Sequence, residues 1–317
     1  MLTTKEVAEY LRGHDNYLIL THKSPDGDTL GCAAALCRIL RGIGKRAALL
    51  KNEEVIDLYR PYVEGLWAAE DLSPDTVVSV DIAAEGLFPK NAEAYRGRVD
   101  LAIDHHPSYE GFGALCCVRP ECAACGEIIY EVAQELGQLT SETALPLYVA
   151  VSTDTGCFVY SNVTADTHRV AAALMETGID CRTVNKRLFR TKTKKRLALE
   201  GRLLSSLEFY DDGRIVVVQL PLSLQRELAL TENDTDDIAS LGGLVEGQDC
   251  CITMKEKDNG AWKISLRTGP RVNATAVCER FGGGGHRAAS GCVIEGMTQE
   301  EAKAAIVRAA VEVAGDA

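Results

Sequence analysis

Short apolar runs alternate with helical stretches through the first half of this chain, and most of the runs lead into an acid or a histidine. Tyr17–Leu20, Ala47–Leu50, Val77–Val80 and Val99–Ile103 (broken only by Asp100) read as strands. Runs that are apolar nearly throughout fit strands buried on both faces, as in parallel sheets. A long helix is expected from Asp28 through Leu40, closed by Gly42 and Gly44, and the stretches around Tyr59–Trp67 and Glu85–Tyr95 also read as helical. Glu121–Leu136 and Ser141–Val151 read as two more helices, the second delivering Asp154 at its end. Strand alternating with helix predicts an α/β fold with a doubly wound parallel sheet. Such sheets gather ligands beyond the carboxyl ends of their strands, where these polar loops lie.

Ile103-Asp104-His105-His106-Pro107 sits at one such end and converges three titratable groups on one point. Three other acidic stretches share its half of the chain: His22-Lys23-Ser24-Pro25-Asp26-Gly27-Asp28, Val80-Asp81 and Thr153-Asp154-Thr155-Gly156. Taken alone, Asp26-Gly27-Asp28 is explained by a turn with a helix N-cap, and Asp81 by a strand-end cap. Their conjunction points to one shared site. Its candidate ligands are His22, Asp26, Asp28, Asp81, His105 and Asp154. Carboxylates mixed with imidazoles and no thiolate suit a hard-to-borderline divalent ion, Mn²⁺ better than Mg²⁺. Clustered aspartates repel unless cations compensate. Six side chains exceed what one open catalytic ion needs and suit a metal pair, which activates a nucleophile and neutralises a phosphoryl oxygen.

Past residue 160 the pattern changes. Thr164–Glu176 is a further helix, Asp180 caps the next, and a basic stretch runs from Lys186 to Arg196 and continues as a helix to about Leu207. Beyond it Ile215–Leu220, Cys250–Lys255 and Trp262–Leu266 are β-rich, and Thr298–Ala314 is a closing helix. The expected organisation is a catalytic domain over 1–185, a helical linker over 186–208 and a smaller α/β domain over 209–317. Four glycines in Phe281-Gly282-Gly283-Gly284-Gly285-His286-Arg287 let backbone N–H groups converge on an anion, and a helix starting just after would add its dipole. Arg267, ending a strand, can aim its fork at the same anion.

Net charge is −12, which argues against binding long duplex DNA, where a basic footprint is expected. Twelve cysteines sit mostly singly among apolar residues and read as buried reduced thiols. Met1–Glu6 lacks the apolar core of a signal peptide and no run reaches membrane-spanning length, so the expectation is a cytoplasmic protein without a membrane segment.

The loops at His22–Asp28, Asp81, Asp104–His106 and Asp154, followed in order by the glycine-His segment, resemble the motifs of the DHH phosphoesterase family with its DHH-associated C-terminal domain. The resemblance covers nearly the whole chain. It implies one Mn²⁺ on His22, Asp26 and Asp81 and a second on Asp28, Asp81, His105 and Asp154, with Asp81 bridging. It assigns catalytic roles to Asp104, orienting the imidazoles, and to His106, facing the substrate phosphate. Substrate binding falls to Arg267, Gly283, Gly284, Gly285 and His286. Within the family, the two-domain length is most similar to nano-RNases that hydrolyse short RNA oligonucleotides and dephosphorylate 3′-phosphoadenosine 5′-phosphate. A phosphodiesterase for cyclic di-AMP or pApA is the rival within the family, and a non-catalytic nucleotide-binding regulator the rival outside it. The expected partners are short RNA and small nucleotides, with a homodimer left open.

Overall fold

The computed structural model describes residues 1–235 and 238–315 and divides into two units, Met1–Thr191 and Lys192–Ala317. In the first unit the elements run α1 (Thr4–Gly13), β1 (Tyr17–Leu20), α2 (Gly27–Gly42), β2 (Ala47–Leu49), α3 (Arg60–Val63), β3 (Thr76–Val80), β4 (Leu101–Asp104), β5 (Leu115–Val118), α4 (Cys125–Glu135), α5 (Ser141–Asp154), α6 (Ala165–Glu176) and α7 (Cys181–Asn185). Its sheet has the order β2-β1-β3-β4-β5 with every pair parallel. The α-helices pack on one face of this sheet, and the 3₁₀ turns around Phe88 and Ala92 cover the other. One face carries the larger core, where Ile19, Val78, Val80 and Ile103 meet α2, α4 and α5. The other buries Leu18, Leu20, Val77 and Ala102 under Phe88 and Ala92. The doubly wound expectation describes this unit.

Capping fixes several helix starts as the sequence implies. Thr3 forms a capping box with Glu6, Asp26 caps α2, Thr164 caps α6 and Asp180 caps α7. Gly31 lets α2 settle closely on Pro146 and Ala150 of α5.

Several readings are corrected. Around Tyr59–Trp67 only the single turn α3 is helical, and Trp67 instead bridges to Leu49. Over Glu85–Tyr95 the chain makes two 3₁₀ turns, Glu85–Leu87 and Lys90–Tyr95, split by Pro89. The helix expected from Glu121 begins at Cys125, and β5 is an additional edge strand. The basic stretch is not one linker helix. Lys186–Arg190 is a π-helical turn closing the first unit, whereas α8 (Lys194–Ser205) packs Leu199 and Leu203 into the second.

The second unit continues with β6 (Glu208–Tyr210), β7 (Ile215–Leu220), α9 (Leu222–Glu227), β8 (Cys250–Glu256), β9 (Trp262–Thr268), α10 (Ala274–Glu279), β10 (Gly284–His286), β11 (Ala289–Ile294) and α11 (Gln299–Gly315). Its mixed sheet has the order β10-β11-β9-β8-β7-β6, and only β7 and β8 pair in parallel. One face buries Ile252, Met254, Ile264 and Leu266 under α10 and α11. Among the described residues no helix is long and apolar enough to cross a membrane.

Candidate metal centre

Five segments of the first unit deliver the site. The loop after β1 supplies His22 and Asp26. Asp26 caps α2, its Oδ1 accepting from the amides of Asp28 (3.0 Å) and Thr29 (3.1 Å). Thr29 Oγ1 donates to the Val80 carbonyl at 3.0 Å, tying the start of α2 to the end of β3. Asp28 is therefore buried beside Asp81. It is held by donors: Oδ2 accepts from Cys125 N (2.7 Å), and Oδ1 from Gly126 N (3.0 Å) and Cys32 Sγ (3.2 Å). Asp81 leaves β3 in the left-handed region (φ 57°), a conformation that aspartate tolerates better than most residues. Asp104 ends β4, and Asp154 is the last residue of α5.

The three histidines differ in how they are held. His22 Nδ1 meets the Lys23 carbonyl at 2.7 Å and His105 Nδ1 the Cys122 carbonyl at 3.1 Å, so each turns Nε2 into the cluster. His22 Nε2 lies 3.6 Å from Asp26 Oδ1 and 3.8 Å from Asp81 Oδ2. His105 Nε2 lies 3.5 Å from Asp81 Oδ1, 3.6 Å from Asp154 Oδ2 and 3.8 Å from Asp28 Oδ2. His106 points the other way round. Its Nδ1 meets Asp104 Oδ1 at 2.8 Å, and the same oxygen accepts the amides of His105 (2.7 Å) and His106 (3.2 Å). Asp104 thus orients one imidazole, that of His106, while a backbone carbonyl orients His105.

All six candidate ligands converge, in overlapping groups whose donor atoms lie within 4.8 Å of one another: His22, Asp26 and Asp81; Asp28, His105 and Asp154; and Asp81 and His105 with His106, whose Nδ1 lies 3.6 Å from Asp81 Oδ1. The electrostatics are costly as they stand. Burial, reinforced by the charge of Asp28, pushes the Asp81 carboxyl well above the usual range. Burial with the neighbouring Asp26 lifts Asp28 to about 7, and burial with Asp28 lifts Asp154 to about 7. Asp81 Oδ1 is sealed from solvent and accepts no hydrogen bond. A buried, unsatisfied carboxylate oxygen among like charges and inward-facing imidazoles is what a divalent cation would relieve. The residues fit a divalent metal, and the oxygen–nitrogen donor set matches its chemistry.

The second-unit residues partly depart from expectation. No helix follows the glycines. Gly284–His286 is a strand that pairs with β11. The Gly283 N–H donates to the Cys278 carbonyl at 2.9 Å, closing α10, so it is not offered to an anion. His286, Ala289 and Arg267 are directly paired across β10, β11 and β9, which puts both exposed side chains on one sheet face with a small residue between them. The amides of Cys125 and Gly126 are contributors that sequence reasoning missed. They lie nearly a hundred residues from Asp28, and no local pattern announces them.

A parallel sheet carrying this Asp/His cluster at its strand ends defines a phosphoesterase of the divalent-metal type. The chain belongs to the DHH family: residues 16–151 match the DHH family N-terminal domain, and residues 215–316 match the DHHA1 domain. It is 32% identical to the bifunctional oligoribonuclease and PAP phosphatase NrnA of Thermus thermophilus, over 96% of this chain and 93% of that protein. A relative of the same description from Bacillus subtilis is 24% identical, over 89% of this chain and 90% of that one. The fold matches an exopolyphosphatase-related protein from Bacteroides fragilis with a TM-score of 0.89 at 22% identity, covering 98% and 96% of the two chains.

Proposed function

We propose that this chain is a Mn²⁺-dependent phosphoesterase that hydrolyses short RNA oligonucleotides and removes the 3′-phosphate of 3′-phosphoadenosine 5′-phosphate. The observation that carries the metal reading is the two-sided Asp81. Its Oδ2 faces His22 and its Oδ1 faces His105, so a single carboxylate serves both ligand groups. His22, Asp26 and Asp81 would hold one ion, and Asp28, Asp81, His105 and Asp154 the other. Bound there, the ions supply an activated water and neutralise charge on the phosphoryl oxygens.

The remaining work belongs to the chain. Two amides and a thiol donate to Asp28 and partly offset the burial that raises its carboxyl, which favours the charged form a cation would need. Asp104 fixes the ring of His106 through Nδ1, which leaves Nε2 to face the substrate phosphate and to hold or give a proton. His106 is partly solvent-exposed, as a group meeting substrate must be. Recognition of the rest of the substrate is assigned to the second unit, where Arg267 offers a charged fork and His286 a ring on the same sheet face. The first unit would then be catalytic and the second substrate-binding.

The substrate class rests on the relative from Thermus thermophilus, whose likeness spans both units. A product-resolved assay with Mn²⁺ tests it, using RNA of two to about five nucleotides, a longer RNA, 3′-phosphoadenosine 5′-phosphate, cyclic di-AMP, pApA and pyrophosphate. The expected result is mononucleotides from short RNA and AMP from the bisphosphate. Turnover confined to cyclic di-AMP or pApA would move the chain to the rival substrate class, and turnover of nothing would make it a regulator.

A further inference from the structure

The turn that follows Asp154 is strained. Gly156, Cys157 and Phe158 take φ values of 56°, 58° and 66° in succession, and two of the three carry side chains that disfavour the left-handed region. Such strain persists only where the surroundings over-determine it. Here the Cys157 amide donates to the Ser152 carbonyl at 2.7 Å, and those of Val159 and Tyr160 both reach the Thr155 carbonyl, at 2.9 and 3.1 Å. The Phe158 ring stacks on His168 at 5.3 Å. Asn162 pins the far end, donating from Nδ2 to the carbonyls of Asp154 (3.1 Å) and Ala123 (2.9 Å).

The result of that effort is exposure. Val159 stands 79% exposed and Tyr160 53% exposed, five and six residues after Asp154, a candidate metal ligand. The Tyr160 ring is nonetheless fixed. A Cβ on Gly156 would lie 2.5 Å from Cε1, 2.8 Å from Cε2 and nearer still to Cζ. Nearly equal distances to three ring atoms place that point above the ring face, not at its edge. One face of the phenol therefore rests flat on the Gly156 backbone, and glycine is required there both for its φ and for this approach.

The cluster itself is closed on one side. Asp28, Asp81 and Asp104 are buried, whereas the Asp26, His106 and Asp154 side chains are 53%, 33% and 31% exposed, so the open margin of the cluster runs along these three. At its Asp154 end that margin continues into the 155–163 turn, which Asn162 ties back to the Asp154 carbonyl. An aromatic ring held in one orientation at that margin has little conformational entropy to lose on binding. Its chemistry suits a flat, unsaturated partner, and nucleobases of any identity offer such a face.

We propose that Tyr160 is a stacking platform for the nucleobase of the nucleotide whose phosphate occupies the Asp/His cluster, with Val159 as its apolar flank. This rests on the reading of the cluster as a nucleotide phosphoesterase site. It makes Tyr160 a specificity-determining residue that selects nucleotides over base-free phosphate esters while leaving base identity open.

The test compares the wild type, Tyr160→Leu and Tyr160→Phe on 3′-phosphoadenosine 5′-phosphate, an RNA dinucleotide and ribose 3,5-bisphosphate, which is the first substrate without its base. For Tyr160→Leu the expected result is a rise in KM of about tenfold on both base-bearing substrates, with kcat within about twofold. Tyr160→Phe should keep the wild-type KM, and KM for ribose bisphosphate should be the same in all three proteins. An unchanged KM in Tyr160→Leu on the base-bearing substrates overturns the proposal, and so does an equal loss on ribose bisphosphate, which would make the ring a prop for the turn. A wild type that turns over none of these substrates instead fails the underlying reading, and the inference with it.

Discussion

Adding one methyl group to α2 should loosen the metal centre without touching a ligand. In Gly31→Ala the new Cβ would lie 2.9 Å from Ala150 N on α5 and closer still to the Pro146 carbonyl oxygen, whereas ordinary contact begins at 3.4 Å. The shortfall is at least 3.4 − 2.9 = 0.5 Å, and two of the three obstructing atoms are backbone, the third being the Ala150 Cβ. The helices must part by that much. Asp28 lies one turn before Gly31 on α2 and Asp154 one turn after Ala150 on α5, and both reach the same His105 Nε2, at 3.8 and 3.6 Å. Ligand distances in metal sites are held within about ±0.2 Å, so a 0.5 Å separation exceeds the tolerance. A loss of about 10–100-fold in metal affinity follows, the scale seen when ligand-supporting groups are removed. Stability moves less, because overpacking costs about 1–3 kcal/mol and the better helix propensity of alanine returns about 1 kcal/mol. Gly201→Ala on α8 is the matched control, having no atom within 4 Å of the new Cβ, and should be neutral or slightly stabilising. Calorimetric titration of chelator-stripped protein with Mn²⁺ reads the affinity, and thermal unfolding in chelator reads the stability. If Gly31→Ala binds Mn²⁺ as tightly as the wild type, the argument that α2–α5 packing sets the site geometry is wrong.

Two further outcomes are expected. His105→Ala should lose bound metal, whereas His106→Ala should keep it and lose about 10²–10⁴-fold in kcat; elemental analysis beside single-turnover rates separates them, and the reverse pattern would exchange the two roles. Glu200 on α8 is raised by burial, but Lys192 and Arg196, each at 2.6 Å, more than offset this and leave its carboxyl below the usual range. A depressed acid contributes stability above its unfolded pKa, near 4.3, that is lost as pH falls through the folded value. Glu200→Gln should therefore weaken amide-exchange protection in β7 and α8 by about 1–3 kcal/mol at pH 7, with the gap closing below about pH 4; a gap that persists in acid would show that packing, not charge, is responsible.

The candidate metal centre was legible because each proposed ligand lies within a few residues of a strand end or at a helix end, and those ends are written in short apolar runs. His22, Asp26 and Asp28 flank the turn between β1 and α2, and Asp104–His106 continue β4, so local pattern and tertiary position agree. What escaped depends on distant pairing. The edge strand β5 is four residues with two adjacent cysteines, which carry no β signature by themselves. The glycine-His segment misled for a related reason. Glycines permit an anion nest and a hairpin equally, and the choice was made by the alternating burial of Ala289–Ile294 on the partner strand. Clamping of Asp28 by the amides of Cys125 and Gly126 has no local trace at all, since it arises only when α4 docks beside α2. The platform at Tyr160 was equally silent, because a left-handed turn through cysteine and phenylalanine contradicts what those residues prefer.

Two metal ions sharing one carboxylate is the claim on which the rest depends, and metal content measures it directly. The wild type and Asp81→Ala would be saturated with Mn²⁺, freed of loose ions by gel filtration, and analysed for metal per chain, with circular dichroism confirming that the variant is folded. The account predicts two ions in the wild type and the loss of most bound metal in Asp81→Ala, because removing the shared ligand weakens both groups at once. Two tightly held ions remaining in Asp81→Ala would contradict it.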